Sequence, residues 1–159
     1  MTFSNDDVKK LRLETGHGVM DCKRALAEAN GDYVKAKDIL GSKIEKMAQE
    51  KSERATAAGL IETYAHNGKC GVILEVQCET DFVARNEIFK SMVHDIALQI
   101  ASMAPETVDD LLSQSYIKDE SKTIKEVISE VIAKTGENVK IIRFERYQLG
   151  ENSKSCNVL

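Results

Sequence analysis

A chain of 159 residues, 42% hydrophobic and with a formal net charge of −4, is long enough for one ordinary domain, or for one small and one medium unit, with a packed core. Neither the first 57 residues nor the remainder concentrates cations, which argues against DNA or RNA as partner, because displacing counterions from phosphates needs a dense cationic face. No apolar run approaches the roughly 18 residues of a membrane span, and the start Met1-Thr2-Phe3-Ser4-Asn5-Asp6-Asp7 is too acidic for a signal or transit peptide, so action in the compartment of synthesis is expected.

Ser4 with Asp7 three residues later opens a helix, Val8, Leu11 and Leu13 give it apolar weight, and Gly16 and Gly18 stop it. A second helix carries Met20, Cys22, Ala25, Leu26 and Ala29 up to Asn30-Gly31. Asp32 then caps a third, bearing Tyr33, Val34, Ala36, Ile39 and Leu40. Three short helices in some 40 residues make a compact bundle. Residues 42–57 are charged and repetitive, with Glu50 four residues before Arg54, and read as a solvated, partly helical connector. Alternating acids there rule out a basic stripe.

Leu60 to His66 and Lys69 to Cys78 flank Asn67-Gly68, the favoured pair for a two-residue hairpin loop. Such a loop sets Ala65 opposite Cys70, Thr63 opposite Val72 and Ile61 opposite Leu74, a mostly apolar face that Val76 extends, with Tyr64 over the bare backbone of Gly71. Apolar residues at helical spacing from Ile88 to Ala101 predict a long amphipathic helix over 86–103, which Pro105 ends. A short helix near 107–113 follows. Thr123 and Glu126 form a capping box for a helix that Gly136 terminates. Residues 136–147 read as a last strand, central or bulged because its apolar residues fall on both faces.

The four cysteines, Cys22, Cys70, Cys78 and Cys156, lack paired C-x-x-C spacing, which disfavours zinc and dithiol chemistry and makes a reducing compartment the default. Cys70 and Cys78, on one strand, stand about 26 Å apart if extended, beyond disulfide reach. Cys156 in the polar tail is available to link two chains on oxidation. No P-loop, nucleophile elbow or metal spacing is present.

The most informative segment is Thr80-Asp81-Phe82-Val83-Ala84-Arg85-Asn86-Glu87, at the junction of a strand and a helix. An acid beside an aromatic ring on such a corner suits a probe inserted into a partner; taken alone, Phe82 and Val83 also fit as core side chains. The octapeptide resembles the TDFVARNE signature of the bacterial elongation factor Ts family. The run from Leu11-Arg12 through Thr15-Gly16-His17-Gly18-Val19-Met20-Asp21-Cys22 to Ala29-Asn30-Gly31-Asp32 is similar to that family's amino-terminal, ubiquitin-associated (UBA) type domain. Gly136-Glu137-Asn138-Val139 with Arg143-Phe144 resembles its GENI-x-x-RF continuation. The resemblance spans about Val8 to Gly150.

It implies an α+β architecture: a UBA-like three-helix domain at 1–41, a linker at 42–57, a core module at 58–150 with a three-stranded antiparallel sheet packed with helices, and a polar tail at 151–159. It also implies a nucleotide exchange factor that is not an enzyme, needs no cofactor and frees GDP from elongation factor Tu in the bacterial cytoplasm or an organelle. Phe82 is the implied wedge and Asp81 the group that disturbs magnesium coordination in the GTPase, while Thr80, Val83, Ala84, Arg85 and Asn86 present them. Arg12, Val19 and Met20 match family positions that rest on a GTPase helix; many relatives carry methionine where Val19 stands, and Met20 by itself also fits core packing. Longer members continue with a second core module, and short ones pair two chains, which implies a homodimer here. Two rival readings are a ubiquitin-type adaptor built on the helix bundle, which leaves residues 58–150 without a purpose, and a small enzyme using Cys78.

Overall fold

The computed structural model describes residues 3–151; the polar tail from residue 152, with Cys156, lies outside the described residues. The chain divides into two compact units, Met1–Gln49 and Glu50–Leu159.

The first unit holds α1 (Asn5–Thr15), α2 (Val19–Glu28) and most of α3 (Tyr33–Lys51). Ser4 and Asp7 form a reciprocal capping box, and Gly16 closes α1 in the left-handed conformation, as the local signals require. Asp32 caps α3 by accepting from the amides of Val34 and Lys35. Val8, Leu11, Cys22, Ala25, Leu26, Ala36 and Leu40 form the core. Leu13, expected to add apolar weight inside, is instead 84% exposed, because it falls on the face of α1 opposite the Val8 and Leu11 stripe. No break separates α3 from the charged segment after it; the helix continues to Lys51.

In the second unit β1 (Ala58–His66), β2 (Cys70–Cys78) and β5 (Val139–Gln148) form an antiparallel sheet of order β1-β2-β5. Between β2 and β5 run α4 (Asp81–Ala84), α5 (Glu87–Met103), α6 (Val108–Ser113), a small hairpin of β3 (Ser115–Tyr116) and β4 (Asp119–Thr123), and α7 (Ile124–Thr135). The architecture is α+β, with helices packed on one sheet face. On that face β2 buries Val72, Leu74, Val76 and Cys78, and α5 buries Phe89, Met92, Val93, Ile96 and Ile100, each large side chain contributing about 1.5–3 kcal/mol.

The hairpin corrects the expected register. Asn67 and Gly68 both adopt positive φ, 49° and 66°, and the Lys69 amide donates to the His66 carbonyl, as a tight turn demands. Pairing begins, however, at His66 with Cys70, so Lys69 is an extra residue, and its carbonyl accepts from the Leu149 amide just beyond β5. Ala65 therefore faces Gly71, Tyr64 faces Val72, Thr63 faces Ile73 and Ile61 faces Glu75. Since alternate residues point to opposite faces, the one-residue shift moves Ile61 off the core side, where it is 65% exposed. Tyr64 lies over Val72, and Gly71 is flanked by Ala65 and by Tyr147 of β5.

Of the two alternatives for the last strand, the bulge is found: the β2–β5 register shifts between Glu75 and Val76, and β5 is an edge. The β3–β4 hairpin had no sequence signal. It is held by buried Gln99 of α5, whose amide donates to the Ser115 carbonyl and whose oxygen accepts from the Ile117 amide, and by Tyr116 donating to Asp95.

Candidate functional site

The octapeptide leaves β2 at Cys78, turns through Glu79 and Thr80, and forms the four-residue α4 before α5 begins. Asn86 separates the two helices and caps α5, its side chain accepting from the Ile88 amide at 2.9 Å. In α4 the side chains divide sharply. Val83 and Ala84 are buried, whereas Phe82 is 88% exposed and Asp81, Arg85 and Asn86 are exposed. Val83 and Ala84 are thus the anchors and Phe82 is not a core residue. Among the described residues neither Asp81 nor Arg85 forms a side-chain hydrogen bond or ion pair.

Thr80 is the N-cap of α4 but makes no side-chain cap bond. Its hydroxyl donates instead to Glu137 Oε1 at 2.6 Å, and its amide donates to Glu137 Oε2 at 3.0 Å. One residue on each side, the Asn138 amide donates to Glu79 Oε1 at 2.6 Å. Asn138 is buried, its side-chain amide donating to the carbonyls of Ser52 and Arg54 at 3.2 and 2.8 Å, and Arg54 pairs with Glu79 at 3.5 Å. Sequence reasoning noted Glu137 and Asn138 within a motif but gave them no part in the site; the signal that could have found them is two acids, Glu79 and Glu137, each next to a segment end that the fold must join.

Cys78 is fully buried and its thiol donates to the Thr80 carbonyl at 3.3 Å. Burial, with the nearby Glu137 charge, raises its pKa above the usual thiol range, so the nucleophilic thiolate is disfavoured. Iodoacetamide near neutral pH is expected to leave Cys78 of the native protein unmodified and to label it once the protein is unfolded in urea; rapid labelling of the native protein, read by peptide mass, would contradict this.

On the first unit, Arg12 is exposed in the last turn of α1, and Val19 and Met20 open α2 at 49% and 60% exposure. Met20 is therefore not a core side chain. These three and the octapeptide belong to different compact units. Among the described residues no group of three His, Cys, Asp or Glu side chains could hold a metal ion, and no helix is long and apolar enough to cross a membrane.

An α+β unit offering an exposed acid and ring on an anchored corner presents the kind of surface that partner-binding proteins use. The family model for elongation factor Ts matches residues 79–157, which include both the octapeptide and the Glu137-Asn138 segment. Elongation factor Ts of Coprothermobacter proteolyticus is 43% identical over 197 positions, covering 95% of this chain and 100% of the relative. That of Thermotoga sp. (strain RQ2) is 40% identical over 195 positions, covering 95% and 98%. A chloroplastic polyprotein of EF-Ts from Oryza sativa subsp. indica is 40% identical over 191 positions, covering 91% of this chain and 17% of the polyprotein. The chain belongs to the elongation factor Ts family, the nucleotide exchange factors of elongation factor Tu in translation elongation, and is not an enzyme. The alignments exceed its 159 residues, so stretches of the relatives have no counterpart in it.

Proposed function

We propose that this chain promotes GDP release by inserting Phe82 into the GTP-binding domain of elongation factor Tu, with Asp81 disturbing the polar groups around the magnesium ion there. The observation that carries this is the 88% exposure of Phe82 between the exposed carboxylate of Asp81 and two buried anchors, Val83 and Ala84. Leaving a ring in water forgoes the hydrophobic gain of burying it, and an exposed aromatic held on a short, anchored element suits a hot spot for a partner pocket. Arg12, Val19 and Met20 supply a second contact from the UBA-like domain at 1–41, residues 42–57 connect it to the core module at 58–150, and Arg85 and Asn86 flank the finger. The setting is a bacterial cytoplasm or an organelle stroma or matrix. Release of a fluorescent GDP analogue, compared for the parent and Phe82→Ala, tests the finger.

The functional form is a homodimer. Supporting it is the sheet face turned away from the helices, where Ile61, Ile73 and Tyr147 are 65%, 45% and 57% exposed around the Glu75–Arg143 ion pair. Such a face on a small unit fits an interface better than open solvent. Light scattering at micromolar concentration is expected to give a dimer for the parent and a monomer for Ile73→Lys; a monomeric parent would remove the dimer.

A further inference from the structure

We infer that Glu137 is a positioning residue for nucleotide exchange, clamping the corner that aims Asp81 and Phe82; the inference rests on the finger role proposed above. A four-residue helix has almost no stability of its own, because the first turn fixes several backbone torsions for very few hydrogen bonds. Its backbone bonds here are few: the amides of Ala84, Arg85 and Asn86 donate to the carbonyls of Thr80, Asp81 and Val83 at 3.2, 3.1 and 2.9 Å. Among the described residues the ring is left 88% exposed, so its direction follows the backbone at Thr80 to Val83 and whatever restrains it.

The restraint comes from distant sequence. The β2–β5 ladder ends at Cys78 opposite Val139, and beyond that last pair the two chains exchange carboxylates. Glu137 takes both donors of Thr80, while Glu79 takes the amide of Asn138. Each carboxylate accepts from the strand opposite its own, so the pairing of β2 with β5 is carried past the sheet by three charge-assisted bonds from two crossed carboxylates. Asn138 in turn fastens the crossing to the carbonyls of Ser52 and Arg54. Thr80 spends its hydroxyl on Glu137 rather than on its own helix, which makes the start of α4 dependent on a residue 57 positions away. Bidentate capture fixes both position and rotation of Thr80, and a group that must enter a pocket loses rate steeply when displaced by about 1 Å.

A clamp of this kind acts on the maximal rate more than on association, since Phe82 and the contacts of the first unit all remain. The test is GDP release from elongation factor Tu by stopped flow, at a series of concentrations of the full chain, for the parent, Glu137→Ala, Glu137→Gln, Thr80→Val and Phe82→Ala. Glu137→Ala is expected to lower the maximal rate about tenfold while changing the half-saturating concentration by less than about threefold and preserving a cooperative melt. Glu137→Gln is expected to recover most of the rate, because its oxygen accepts from the Thr80 amide and its amino group donates to the hydroxyl oxygen. Thr80→Val, losing one of two bonds, falls between. If Phe82→Ala is slow but Glu137→Ala reaches the parental maximum, or if Glu137→Ala acts only through half-saturation or unfolding, the clamp is overturned and the finger stands. If Phe82→Ala releases GDP as fast as the parent, the finger itself is wrong and the inference falls with it.

Discussion

Phe82→Ala is expected to slow GDP release from elongation factor Tu by about 30-fold or more, the cost of truncating an aromatic hot spot by roughly 2 kcal/mol. Its folding stability is expected to change by no more than about 0.5 kcal/mol, because a side chain that is 88% exposed loses little buried surface on truncation. That combination separates a probe from a core residue. Val83→Ala, removing a buried anchor of the same helix, should instead destabilise the protein by about 1 kcal/mol or more. Stopped-flow release of a labelled GDP and urea denaturation, run on the same preparations, decide between the two patterns; parental release rates for Phe82→Ala would remove the ring from its role. Exchange also has to be reciprocal: a factor that favours the nucleotide-free GTPase must itself be bound less tightly when GDP is present.

The second large effect lies in β1, beside the end of β2 that leads into α4. Gly59→Ala is expected to destabilise the core unit by about 3 kcal/mol, combining a backbone conformation that side chains avoid with overpacking against rigid atoms. Gly59 has φ of 155°, and an added Cβ would meet the Val76 carbonyl oxygen at 2.2 Å and the Gln77 Cα at 2.8 Å. Both obstacles are backbone of the central strand, so relief requires β1 to part from β2. Gly71 in the same hairpin is the control: it has no positive φ and nothing within 4 Å of its Cβ position, and Gly71→Ala should be near neutral or slightly stabilising, since strand glycine carries an entropic cost. Equal urea midpoints for Gly59→Ala and the parent would show that the strands tolerate the extra carbon.

Much of the local structure was readable because its causes are local. The Ser4–Asp7 and Thr123–Glu126 capping boxes, the left-handed glycines Gly16 and Gly136, and the long apolar stripe of α5 all act within one or two helical turns. The octapeptide was readable for the same reason, and so was the Asn67-Gly68 turn. What the turn could not convey was the register: Lys69 is accommodated as an extra residue whose carbonyl is taken by Leu149, 80 positions along. A slip of one residue reverses which side of a strand meets the core, and with it the standing of Ile61.

From its residues alone, then, this chain specified its family, its helices and turns, and the acid and ring it presents, because short-range torsional and capping preferences and a contiguous motif are written along the chain. Tertiary packing alone decided that Phe82 stands in water while Val83 and Ala84 are buried, that the sheet leaves Ile61, Ile73 and Tyr147 uncovered, and that Glu137 grips Thr80. Those outcomes depend on pairing β2 with β5 across some sixty intervening residues, and no local preference encodes which distant carboxylate will meet a given amide.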